Sequence, residues 1–348
     1  MNTQAAPLSR SGAPAFQQQQ QLRPIAPTRV GQGLTPQSPQ GQPLRRMDQL
    51  RGERREVTEG GRQIFREPDR TIIRENGQTF VRHSDTTRFA YGARDVQTAR
   101  RGVTNVTTVF LPTGDRVINI VDDNGYLVRR SRILPNGREI ILIDNRPRGR
   151  DFSPANFFLN LAAPIIRIPR ERYIVDYDQY ENDPRYLYDT LIAPPVDPIE
   201  RAYTLDEVRY NAPLRDLMPR IDLNTVTFES GSWELTDDQI NKLAPIADGL
   251  NQAITNNPRA VFLIEGHTDA TGNDVDNLSL SDRRAESVAI ALSQQFGVPA
   301  ENLTTQGYGE QFLKVPTDGP ERANRRVTVR NITPLLNGMA QAGPPPRR

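Results

Sequence analysis

The 348-residue sequence contains no cysteine and only two histidines, His83 and His267. The first absence excludes a disulfide framework, a cysteine nucleophile, thiolate metal sites and lipid attachment through a cysteine within this chain. The second excludes a metal centre built on several histidines, and neither a metal nor a cofactor is expected. No apolar run approaches the roughly 18 residues that a membrane-spanning helix needs. The amino terminus, MNTQAAPLSRSGAPAF, lacks the basic-then-apolar layout of a secretory signal. Hydrophobic residues make up only 36% of the chain and mean hydropathy is −0.62, too little for one large core, so a chain of several parts is expected.

What is present is unevenly placed. Residues 1–50 are rich in Gln, Pro, Ala, Ser and Gly, with a five-glutamine run at Gln17 to Gln21 and no apolar periodicity. They read as a disordered segment, as do residues 336–348. Residues 1–150 hold 25 Lys and Arg against 14 Asp and Glu, a surplus of +11 that leaves −9 for the rest. Such a basic half fits either an anionic polymer or membrane surface, or a solvated arginine-rich β surface.

Residues 51–150 carry short alternating runs, RTIIRE, QTFVRH, TTVFLP, RVINIVDD, YLVRRSRI and REIILIDN, separated by Asn76-Gly77, Thr113-Gly114, Asn124-Gly125 and Asn136-Gly137. Asn-Gly between alternating strands signals a hairpin, so this region is expected to be a basic, antiparallel β-rich module. Its arginines are expected to face water and its Ile and Val to face inwards. A one-sided sheet needs a cover, which suggests a partner protein, a second copy or the connector.

Residues 151–219 form a Pro- and Tyr-rich connector in which Thr204 to Glu207 reads as the capping box of a short helix. From 220 to 335 the pattern becomes β-α-β-α-β-β. Leu223 to Phe228 alternates as a strand, and a helix capped at Thr236 is expected to break near Asn241 to Pro245. Ala260 to Ile264 reads as a central strand, and a second helix runs from about Leu280 to Phe296. Two further strands complete a mixed sheet of about four. The fold class is α+β multidomain, ending in an α/β sandwich.

The most informative stretch is EGHTDATGNDVDNLSLSDRRAESV, from Glu265 to Val288. It puts Asp269 in a loop leaving an apolar strand and an arginine pair, Arg283 and Arg284, on the following helix. A carboxylate accepts hydrogen bonds from an ammonium, whereas a guanidinium grips a carboxylate in bidentate fashion, so the set suits a zwitterionic ligand. Asp269 could equally cap the turn containing Thr271 and Gly272. Asn277 could contact ligand or cap the helix. His267, with no nucleophile near it in sequence, reads as structural. Glu265 and Asp269 are carboxylates near one another in sequence, a pair of the kind a hydrolase uses, but nothing places a scissile bond between them.

The motifs GHTD (Gly266 to Asp269), N-x-x-L-S-x-x-R-A-x-x-V (Asn277 to Val288), GYGE (Gly307 to Glu310) and NRRV (Asn324 to Val327) resemble, in this order, the C-terminal domain of the OmpA-like family. The resemblance covers about a third of the chain. It implies non-catalytic binding of peptidoglycan through the diaminopimelate of its stem peptide, with Asp269 on the ammonium and Arg284 on the carboxylate. Only the register of the motif selects Arg284 over Arg283. Thr268, Asn277, Arg325 and, at the rim, Glu229 complete the expected ligand set. The implied setting is the periplasm of a Gram-negative envelope, associated with the cell wall or outer membrane, with no nucleic acid as partner. Because the sequence shows no export signal, it is expected to belong to a longer exported precursor or to begin at a misassigned start. The competing reading is an envelope assembly or scaffold protein whose basic module binds a partner protein or anionic polymer. A flagellar-stator component shares the domain but needs an amino-terminal membrane helix.

Overall fold

The computed structural model describes residues 45–75, 77–146 and 158–338. Most of the segment expected to be disordered, residues 1–44, and the tail from residue 339 onwards lie outside the described residues. Residues 45–50 do not behave as expected. They lead into helix α1 (Met47–Glu53), whose Met47 and Leu50 are buried against Trp233 and Leu280. Two apolar side chains are too few to announce a helix by periodicity, and the burial that stabilises this one comes from residues roughly 200 positions away.

Two antiparallel sheets follow, where the sequence suggested one module. The first contains β1 (Arg55–Glu59), β2 (Arg62–Arg66), β3 (Arg70–Glu75) and β4 (Gln78–His83) in sequential order. After the one-turn helix α2 (Thr86–Phe89), the second contains β5 (Asp95–Arg101), β6 (Thr104–Phe110), β7 (Arg116–Asp122), β8 (Leu127–Ile133) and β9 (Glu139–Asp144), again sequential. Hairpin turns fall at the Gly-bearing dipeptides, with Gly77, Gly114, Gly125 and Gly137 at positive φ. β1 and β5 escaped the sequence reading because every residue in them is exposed, so neither shows an apolar alternation.

The connector contributes α3 (Arg170–Tyr173), β10 (Ile174–Asp176), α4 (Pro184–Leu191), α5 (Leu205–Tyr210) and α6 (Ala212–Arg215). At α5 the capping box forms in both directions between Thr204 and Glu207. Then come β11 (Arg220–Asp222), α7 (Asp237–Asn241), α8 (Ala244–Asn256), β12 (Phe262–Gly266), α9 (Asp274–Phe296), β13 (Leu303–Gly307), β14 (Val327–Asn331) and α10 (Thr333–Asn337). The expected helix break is present, with Pro245 in the first turn of α8, where its missing N–H costs nothing. The expected strand at Leu223 to Phe228 is displaced to β11. Leu223 and Val226 are buried by a turn, Val226 N–H donating to the Leu223 carbonyl at 3.1 Å, which imitates alternation in sequence. The sheet has five strands in the order β10-β11-β14-β12-β13, because the connector lends β10 to its edge; β12 and β13 run parallel with α9 as their crossover.

One face of this sheet packs on α4, α8 and α9 through Phe262, Ile264, Leu250, Val288 and Leu292. The other carries Val261, Leu263 and Ile332, which pack with Leu205 and Val208 of α5 and with Ile140 and Leu142 of β9. The first antiparallel sheet is covered in turn by α9, where Phe65, Ile72 and Val81 meet Val275 and Leu278. These apolar faces, for which the sequence suggests a partner, a second copy or the connector as cover, are covered within the chain.

The basic surface is corrected in part: Arg62, Arg66, Arg100, Arg101 and Arg116 face water as expected, but others turn inwards. Arg70, Arg88 and Arg130 are buried rather than facing water. Arg70 Nε donates to Asp282 at 2.7 Å, Arg88 pairs with Glu286, Arg132 Nε donates to Glu301 at 2.7 Å, and Arg54 Nη1 donates to Asp276 at 2.7 Å. His83 Nδ1 lies 2.8 Å from Asp282. Burial pulls the His83 imidazole down, but Asp282, with Asp85 and Glu286 beyond it, outweighs burial and raises it to about 9. His83, Asp85 and Glu286 lie close enough to suggest a metal cluster, yet Arg88 and Arg130 already pair with these carboxylates.

Candidate functional site

Two glycines set the distance between α9 and its sheet. A Cβ on Gly266 would lie 1.9 Å from the Ser281 carbonyl oxygen, and one on Gly307 would lie 2.3 Å from the Asp282 nitrogen. Only glycine permits backbone contact this close. The approach is pinned by hydrogen bonds from the Gly307 N–H to Asp282 at 2.8 Å and from the Gly309 N–H to the Ser281 hydroxyl at 2.8 Å. The end of β12 and the first turns of α9 are thereby brought together.

A cavity of about 470 Å³ opens there. Thr268, Asp269, Asn277, Arg284 and Arg325 line it, together with Phe228, Gly231 and Asp276 and with Met47 and Arg51 of α1. Five of the six expected ligand residues thus share one cavity. The sixth, Glu229, turns its carboxylate to solvent near Arg46, while its main-chain carbonyl accepts from Arg284 Nη2 at 3.1 Å.

Asp269 is 4% exposed. One carboxylate oxygen accepts from the Thr271 hydroxyl at 2.5 Å, and the other from Arg325 Nη1 at 2.6 Å and the Glu321 N–H at 3.3 Å. The turn-capping role and a place on the cavity wall therefore coexist. Burial alone would raise this carboxyl, but the bonds from Thr271 and Arg325 hold it below the ordinary carboxylate value, so it is an anion at neutral pH.

Arg284, 5% exposed, sits over the Phe228 ring at 5.1 Å. Its Nε donates to the Ser232 carbonyl at 3.0 Å. Among the described residues no carboxylate lies within salt-bridge distance of it. Burial, reinforced by Arg325, pulls the guanidinium down to about 10, against the pull of Asp269, and it stays charged at neutral pH. Arg325 and Arg326 diverge as adjacent residues of an extended segment should: Arg325 reaches the cavity, whereas Arg326 is buried near Asp222.

Asn277 does not cap α9. Asn273 does, accepting from the Asp276 N–H at 2.8 Å. Asn277 instead donates to the Thr271 carbonyl at 3.0 Å and to Glu310 at 2.6 Å, tying the loop to the GYGE turn. The Thr268 hydroxyl is buried with no hydrogen-bond partner among the described residues. His267 stacks on Tyr308 at 5.6 Å, and burial followed by the surrounding arginines keeps it neutral. Glu265 lies inside the sheet rather than in the cavity, held by Arg215 at 2.9 Å and Thr328 at 2.7 Å. Met47, Arg51 and Asp276 carry no sequence signal for this site, since no motif links α1 to α9.

Residues 227–326 match the model of the OmpA family. Among curated proteins, the probable lipoprotein YiaD of Escherichia coli is 37% identical over 114 residues, 32% of this chain and 49% of that protein. The peptidoglycan-associated lipoprotein of Haemophilus influenzae is 36% identical over 88 residues, 25% of this chain and 54% of that protein. The chain thus spans about half the length of these relatives. Among solved structures, the peptidoglycan-associated lipoprotein from Burkholderia pseudomallei is 28% identical over 30% of this chain and 87% of that chain, with a TM-score of 0.26.

Proposed function

This chain carries an OmpA-family domain at residues 227–326, and we propose that through it the protein binds the peptidoglycan of a Gram-negative envelope without cleaving it. The ligand contact is the diaminopimelate of the stem peptide. Its ammonium sits at Asp269 and its carboxylate at Arg284, with Asn277, Thr268 and Arg325 around them. The protein resides in the periplasm, attached to the cell wall or outer membrane.

The observation that carries this reading is the state of Arg284. A guanidinium that is 5% exposed and has no carboxylate partner among the described residues can still pair with one, and it shares a cavity with the anionic Asp269. Side chains and carbonyls of the site already fill each role in miniature. Arg325 stands on Asp269 as the ligand's ammonium would, and two carbonyls stand on Arg284 as its carboxylate would. The name of the Haemophilus relative points the same way. Glu265 is locked between arginines inside the sheet and has no access to a ligand, which favours binding over hydrolysis.

Sedimentation with purified sacculi tests the proposal. The wild-type chain should co-sediment, and Asp269→Ala and Arg284→Ala should remain in the supernatant. Undiminished sedimentation of both variants would overturn it.

A further inference from the structure

The cavity has a wall that the OmpA-family domain does not supply. Helix α1 lies some 170 residues upstream of the matched region, yet Met47 and Arg51 line the same space as Asp269 and Arg284. The helix is anchored there by three kinds of contact. The Met47 N–H donates to the Gly231 carbonyl at 2.9 Å, Met47 and Leu50 are buried with Trp233 and Leu280, and Arg51 Nε donates to Asp276 at 2.6 Å.

Arg51 is not consumed by that last bond. Its side chain is 57% exposed, and its two Nη groups have no partner among the described residues. The charges around the cavity are also unequal. Three guanidinium groups, Arg51, Arg284 and Arg325, face two carboxylates, Asp269 and Asp276. A diaminopimelate side chain bearing one ammonium and one carboxylate is neutral and leaves that excess in place. One additional carboxylate on the ligand would balance it.

We infer that Arg51 is a specificity-determining residue that reads a second carboxylate, the free carboxyl group at the end of a stem peptide terminating in diaminopimelate. The inference rests on the peptidoglycan reading of the cavity. It narrows the ligand to stem peptides trimmed to a free acid at that residue, in preference to amidated or extended ones. Arg51 presents its Nη face to the carboxylate while Asp276 fixes its Nε, the fork geometry in which arginine discriminates best.

The test is calorimetric titration of the full chain with a synthetic tripeptide, alanyl-γ-glutamyl-diaminopimelate, as the free acid and as the terminal carboxamide. The wild type should prefer the free acid about tenfold, the scale of one hydrogen bond between charged groups. Arg51→Gln should erase that preference and leave carboxamide affinity intact. Arg54→Gln is the control, because Arg54 donates to the same Asp276 at 2.7 Å but does not line the cavity. Its variant should keep the preference, with thermal melting confirming that both variants fold. If Arg51→Gln weakens both peptides equally or keeps the preference, Arg51 acts only through Asp276, and the inference falls while the Asp269–Arg284 clamp stands. Loss of the preference in Arg54→Gln would overturn it in the same way. If the wild type binds neither peptide, the clamp itself falls and the inference with it.

Discussion

Arg283 and Arg284, consecutive on α9 and stacked over Trp233 at 4.8 Å and Phe228 at 5.1 Å, send their guanidinium groups to different partners. Arg283 donates to Glu67 at 2.9 Å and to Asp69 at 2.6 Å on the first antiparallel sheet, while Arg284 enters the cavity and donates to the Ser232 and Glu229 carbonyls. The first arginine joins two parts of the chain; the second has no carboxylate partner among the described residues.

The two residues should separate cleanly on mutation. Arg283→Ala empties a fully buried position and takes one cation from Glu67, which keeps Arg54, and from Asp69, which keeps Arg70, and should cost about 2–3 kcal/mol of stability. Arg284→Ala should cost stability only about 1–2 kcal/mol and wall binding about 2–5 kcal/mol. Urea unfolding alongside sacculus sedimentation reads both quantities. Equal stability loss in the two variants would contradict this division.

A pH dependence follows from His83. Its folded value of about 9 lies above its ordinary 6.5, so protonated His83 stabilises the fold fully below pH 6.5, and the contribution is lost as pH rises through 9. Across that window stability should fall by on the order of 3 kcal/mol. His83→Gln should flatten the slope in denaturant titrations at stepped pH. A wild-type profile that is level or rising from pH 6.5 to 9 would count against the buried His83–Asp282 pair.

Gly266→Ala should lower stability by roughly 3 kcal/mol or more, because the new methyl group meets the Ser281 backbone carbonyl, which cannot swing aside as a side chain can. The measurement is a thermal melt of the variant against wild type. An unchanged midpoint would mean that α9 sits farther from β12 than described.

Excising residues 220–335 should give a poorly behaved fragment. The sheet face bearing Val261, Leu263 and Ile332 loses Ile140, Leu142, Leu205 and Val208, leaving an apolar patch open to water. Binding of a hydrophobic dye and concentration-dependent association should both rise relative to the full chain. A monomeric fragment that binds no dye would show that this face needs no cover.

The C-terminal site was legible in the sequence because its parts are neighbours there. Gly266 to Asp269 and Asn277 to Arg284 lie on one strand-loop-helix passage, and local pattern places them at one sheet end. Arg70 and Arg130 misled for the opposite reason. Alternation marks a charged residue as facing water, and only the folded chain supplies Asp282 and Asp85, the first about two hundred residues away, to bury it with. α1 was illegible on the same ground, since Leu50 is completely buried by residues from elsewhere in the chain. β1 and β5 lacked signal altogether, being strands held by their neighbours' hydrogen bonds rather than by any apolar side of their own.

The uneven charge takes on a different meaning once both halves are in place. A chain carrying +11 in its first 150 residues and −9 thereafter is its own counter-ion. Before any contact forms, the two halves attract across the largest sequence separations in the fold, where loop closure is entropically dearest. Added salt shortens the reach of that attraction, from about 10 Å at 0.1 M to about 3 Å at 1 M, so concentrated electrolyte should slow assembly while leaving the finished, buried pairs largely untouched.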